Sequence, residues 1–202
     1  APVWSGTHKE LGTSTSLFNF QNTSFELLAP TSAGLGADLV NYYLDTTGEG
    51  LIGMVFATED IAGVHSSLQE RKFLIGDTSD GEGINSSDQK VRKWKNLFLP
   101  PELTRGIFSF VIEHTEGSLP QPKSVEPSSP HKLDHLIVAV KDLQEAENNY
   151  QKLFGMAPVW SGTHKELGTS NSLFNFQNTY FELLAPTSEG FGADLVNYYL
   201  DT

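Results

Sequence analysis

Apolar and polar positions along this chain fall into short runs, and each run predicts an element. LDHLIVAV, residues 133–140, is an almost continuous apolar run of strand length, broken by His135. TYFELLAP, residues 179–186, is its counterpart, with Glu182 among side chains that otherwise favour burial. Strand side chains alternate between faces, so an ionisable group in such a run points either to water or into an enclosed cavity. Earlier in the chain, SLFNFQ (16–21) sets Leu17, Asn19 and Gln21 against Phe18 and Phe20 and predicts a strand. A short apolar entry at Trp4 and a polar loop, SGTHKELGTS, precede it. SFELLAP predicts the next strand, ended by Pro30, and residues 36–44 place Leu39, Val40, Tyr43 and Leu44 at helical spacing.

The middle of the chain opens with LIGMVFAT (51–58), a second apolar run of strand length, followed by Asp60 as the cap of a helix. GDTSDGEGINSSD predicts a loop; QKVRKWKNLFLPP and RGIFSFVIEH predict two strands joined by a turn at Pro100 and Pro101. After LDHLIVAV, a helix is predicted from Asp142 to Phe154, stopped by Gly155.

The pattern repeats. Residues 1–46 return as residues 157–202, differing only where Thr15 meets Asn171, Ser24 meets Tyr180, Ala33 meets Glu189 and Leu35 meets Phe191. The second copy is preceded by a strand and a helix that the first lacks, and the chain begins with Ala1, so the expectation is a chain cut from something longer, or processed, whose first module has lost its opening strand and helix. The organisation that follows is a partial module over 1–46, a complete strand–helix–three-strand module over 47–116, a Pro/Ser-rich linker over 117–131 and a second complete module over 132–202.

Composition narrows the class. With 202 residues, 38% hydrophobic and 11% aromatic, the chain can bury one good core or two small ones. A formal charge of -12 repels phosphate backbones, so nucleic acid is not an expected partner. No apolar run reaches the length of a membrane span and no basic-then-apolar leader is visible, which predicts no membrane association. The absence of cysteine removes disulfides and thiolate metal sites and suits a reducing cytoplasm.

Candidate chemistry rests on few side chains. Arg92, Trp94 and Asn96 alternate on one strand face with Lys93 and Lys95 on the other; they form either a half-exposed strand or a cavity wall in which the guanidinium takes a substrate carboxylate and the indole stacks on it. Glu113 shares a face with Val111, and His114 points the other way. His164 lies in a polar loop. Gly81 and Gly83 lack both the spacing and the lysine of a phosphate loop, so no nucleotide is expected.

Taken together, LDHLIVAVKDLQEAENNYQKLFG, the stretch from Trp160 to Leu173, FELLAP, WKNLFLPPELTRG and VIEH resemble the vicinal oxygen chelate superfamily of glyoxalase I, bleomycin-resistance proteins and extradiol dioxygenases, in its glyoxalase-like branch. The resemblance implies an α+β fold of repeated βαβββ modules whose strongly curved mixed sheets surround a cleft. It carries ligand positions onto His135, Glu182, Gly53 and Glu113, three of which can bind a divalent ion such as Zn, Mn, Ni or Fe. It also makes His164 and Asn171 substrate-binding candidates beside Arg92, Trp94 and Asn96. The implied function is a metal-dependent lyase, isomerase or dioxygenase on a small oxygenated substrate, with Glu113 or Glu182 as general base. The alternative is a metal-free binding or sequestering protein of the bleomycin-resistance type. A homodimer is expected, with exchange of LDHLIVAV onto the Glu26 module as one route to it.

Overall fold

A computed structural model describes residues 2–119 and 128–201. The chain divides into two compact units, Ala1–Ser129 and Pro130–Thr202. Most of the predicted linker, residues 120–127, lies outside the described residues.

In the first unit the elements run β1 (Trp4–His8), β2 (Thr13–Asn19), β3 (Ser24–Pro30), α1 (Leu35–Thr46), β4 (Gly53–Ala57), α2 (Ile61–Glu70), β5 (Ser79–Asn85), β6 (Val91–Leu99), the short α3 (Pro101–Thr104) and β7 (Phe108–Glu116). The strands form one sheet in the order β3-β2-β1-β5-β6-β7-β4. The joint is the antiparallel pairing of β1 with β5, where Gly6 faces Asn85 and Thr7 faces Ile84. Residues 1–46 and the module after them therefore share a sheet.

Two of these strands form where the pattern predicts loops. WSGTH and SDGEGIN carry no apolar alternation, and they become β1 and β5 because each supplies backbone groups to two neighbours. The glycines of β5 have a packing role: a Cβ at Gly81 would lie 2.3 Å from Trp94 Nε1, because the indole rests on that backbone. At Pro100–Pro101 the predicted turn is a single helical turn, closed by Arg105 in the left-handed conformation.

The second unit comprises β8 (His135–Ala139), α4 (Leu143–Phe154), β9 (Trp160–His164), β10 (Thr169–Asn175), β11 (Tyr180–Pro186) and α5 (Phe191–Asp201), with sheet order β8-β11-β10-β9. Only β8 and β11 run parallel, the expected result of a helical crossover between the first strand and the rest. Asp142 caps α4 by accepting from Glu145 N at 2.8 Å, and Gly155 ends it at φ 70°.

Each sheet has a helix face. In the second unit Tyr150 and Phe154 of α4 pack on Phe181 at 4.8 and 5.3 Å between ring centroids, and Tyr150, Phe174, Phe181 and Leu183 are essentially sealed from solvent. In the first unit α2 lies against β6 and β7, with Ile61, Leu68, Leu97 and Val111 buried. The fold is α+β, built from βαβββ modules with curled mixed sheets. No helix among the described residues is long and apolar enough to cross a membrane.

Candidate functional site

Residues paired across a ladder share a face, so the registers sort every candidate. In the second unit His135 pairs with Tyr180, Ile137 with Glu182, Glu182 with Leu173, Asn171 with Gly162 and Thr169 with His164. His135, Glu182, Asn171 and His164 consequently stand on one face, opposite the one that α4 covers. His135 is held between two carboxylates: Nδ1 lies 2.8 Å from Asp134 Oδ2, and Nε2 lies 3.4 Å from Glu182 Oε2. Glu182 is only 7% exposed, and Asn171 Nδ2 donates to its Oε1 at 2.6 Å. The other Asn171 amide atom, Oδ1, is buried without a partner. His164 Nδ1 lies 3.2 Å from the Thr169 hydroxyl.

In the first unit the same sorting separates the predicted residues. Arg92 pairs with Gly83 and Trp94 with both Gly81 and His114, while Lys95 pairs with Glu113. Arg92, Trp94, Asn96 and His114 thus share the inner face of the curl, and Glu113 lies on the helix face. There its Oε2 accepts from Ile61 N at 2.9 Å, at the start of α2. The parallel ladder of β4 and β7 says the same: with Gly53 as counterpart of His135, the residue in the place of Glu182 is Phe110, which pairs with Val55.

Around Arg92 the inner face gathers residues that the sequence pattern did not single out. The guanidinium carbon lies 5.1 Å from the Trp4 ring centroid and 5.6 Å from that of Trp94, and Arg92 is 6% exposed, with Nε buried and lacking an acceptor. His8 meets Trp94 edge-on at 6.0 Å, and its Nδ1 lies 3.2 Å from Thr13 Oγ1. Thr15 donates to Glu26, as Asn171 does to Glu182. Burial pulls the pKa of His8 below its ordinary range; Glu26 opposes this and Arg92 adds to it. His114 is lowered by burial and then by Arg92, and Arg92 by its own burial, with Glu26 acting the other way. Trp4 and His8 carry no site signal in the sequence because their strand reads as a short apolar entry and a loop. The repeat was the available signal, since they are the counterparts of Trp160 and the candidate His164.

The resemblance implies a divalent metal on His135, Glu182 and Glu113. His135 and Glu182 fit it: they face each other, and Asp134 orients the imidazole as a supporting carboxylate does for a metal-bound histidine. Glu113 does not fit, being engaged at the N-terminus of α2. Among the described residues, no group of three His, Cys, Asp or Glu side chains is placed to hold an ion.

A family model described as a glyoxalase-like domain matches residues 1–132 and again 133–198. No curated protein matches the chain. Among solved structures, a hypothetical protein from Staphylococcus aureus is similar at 18% identity and TM-score 0.69, over 93% of this chain and 79% of that one. A mutant of 4-hydroxymandelate synthase from Streptomyces coelicolor is similar at 12% identity and TM-score 0.55; the match covers 91% of this chain and 55% of the synthase. Both likenesses concern the fold. With both matched segments together spanning nearly the whole sequence, the chain belongs to the glyoxalase-like domain family.

Proposed function

We propose that this protein binds a small flat organic molecule on the inner face of the first unit, in the metal-free manner that the resemblance to bleomycin-resistance proteins suggests. The observation that carries the reading is the lining of that face: the indoles of Trp4 and Trp94 and the imidazoles of His8 and His114 stand together, and Glu26 is already engaged by Thr15. Aromatic walls with a few fixed polar groups are the usual composition of an organic-ligand site. Calorimetric titration of the full chain with 2-naphthamide, a neutral flat probe, is expected to give saturable heat and a rise in melting temperature. Absence of both, with the amide and with its carboxylate counterpart 2-naphthoate alike, overturns the reading.

A divalent ion at His135 and Glu182 is a second reading, favoured by the alignment of Asp134, His135 and Glu182. Those two side chains would hold the ion, which when bound would polarise an oxygenated substrate. The chain's own part is to fix the imidazole through Asp134 and the carboxylate through Asn171. Titration with Zn, Mn, Ni and Fe, followed by melting temperature, tests it: a stabilisation that His135→Ala abolishes supports the ion, and no stabilisation by any of the four removes it.

A further inference from the structure

We infer that the ligand of the first unit carries a carboxylate, and that Arg92 is the residue that selects it. This rests on the inner-face reading above and deepens it by naming the ligand class. Arg92 is 94% buried, as the complement of its 6% exposure, and its Nε has no acceptor. A guanidinium has five N–H donors and no acceptor, so a buried fork with an open Nε lacks a partner that only an acceptor can supply. The residues beside it do not fill that role: the centroids of the two indoles lie 5.1 and 5.6 Å from the guanidinium carbon, and indole nitrogen is itself a donor. Glu26 contributes charge at a distance, but its carboxylate accepts from Thr15.

The geometry also fixes the kind of acceptor. The unpaired Nε belongs to a planar fork, and a planar carboxylate is the acceptor that takes such a fork with two parallel N–H···O bonds. The same indoles would then stack on an unsaturated body joined to the carboxylate. A cationic body is disfavoured by Arg92, and a neutral amide offers one oxygen where the fork offers two N–H groups. The lowered pKa values of His8 and His114 fit this picture, since neutral imidazoles add contacts without competing for the anion.

The test compares three probes of one shape on the full chain: 2-naphthoate, 2-naphthamide and 2-naphthamidine. Naphthoate is expected to bind at least tenfold more tightly than the amide, and the amidine more weakly than either. Arg92→Gln should bring naphthoate down to the level of the amide, while Arg92→Lys, which keeps the charge but loses the fork, should keep only part of the preference. Equal binding of naphthoate and the amide to the wild-type chain overturns the inference and leaves the inner-face reading standing. Binding of none of the three overturns both. Should Arg92→Gln fail to fold, the wild-type comparison of acid and amide still decides.

Discussion

Trp4 and Trp160 occupy the same register position in twin strands, opposite Leu17 and Leu173, yet Trp4 is 4% exposed and Trp160 62%. The local sequence is identical from residue 1 to 14 and from 157 to 170, so the difference is not local. In the first unit β1 is zipped to β5, and Arg92 of the neighbouring β6 lies on the Trp4 ring; β9 is an edge strand.

That asymmetry predicts unequal roles for the two indoles. Trp4→Ala should destabilise the first unit by about 3 kcal/mol, the range for removing a buried aromatic, and Trp160→Ala by under about 1 kcal/mol. Denaturant unfolding measures both. In the intact chain the Trp160→Phe variant should lose the emission that acrylamide quenches most readily, and Trp4→Phe should not.

A second prediction concerns Glu113. Its carboxylate accepts from Ile61 N at the first turn of α2, where Asp60 also accepts from Gly63 N. Removing it by Glu113→Ala should therefore act as the loss of a helix cap does, about 1 kcal/mol of stability. Binding of flat ligands to the inner face should be unchanged, because the side chain lies on the other face of β7. A variant that keeps full stability but loses ligand or metal binding would return Glu113 to the site.

These cases show how far the residues alone could lead. His135 and Glu182 were legible because each interrupts an apolar run of strand length, whereas Asn171 and His164 came only from the resemblance, His164 out of a stretch that reads as loop. Glu113 was not, because strand periodicity says that it differs in face from His114 without saying which face carries the helix. A bulge between Lys93 and Trp94 further hides the pairing of Trp94 with His114 from any count along the sequence. β1 and β5 were missed for a related reason: a strand bonded on both sides is held by its ladders, and polar side chains with two glycines do not announce it.

The lowered pKa values on the inner face predict an acid-sensitive first unit. His8 and His114 both have folded-state pKa values below their ordinary 6.5, chiefly through burial. The unfolded chain then binds more protons than the folded one between the two values, so stability rises with pH through that window and is lost as pH falls from about 6.5. Melting temperature should drop on acidification in that range, and the double substitution His8→Gln, His114→Gln should flatten the slope. An unchanged slope would mean that these imidazoles charge without opening the fold.

The repeat supplies an internal control for the last prediction. Glu182 is 7% exposed and accepts from Asn171; its twin Glu26 accepts from Thr15, one of the few positions at which the copies differ. Either side chain can donate across the same diagonal of the hairpin, so Asn171→Thr should be tolerated while Asn171→Ala strips a donor from a carboxylate removed from water. Hydrogen bonds to charged groups are worth about 1.5–3 kcal/mol, which sets the expected loss for the alanine variant. The Thr variant should lose less than half of that. His135 complicates the result, since Nε2 lies 3.4 Å from the other carboxylate oxygen and can compensate in part. A double-mutant cycle with His135→Ala separates the two: a coupling energy near zero would show that Asn171 and His135 act on Glu182 independently, and a sizeable one that the three side chains form a single unit.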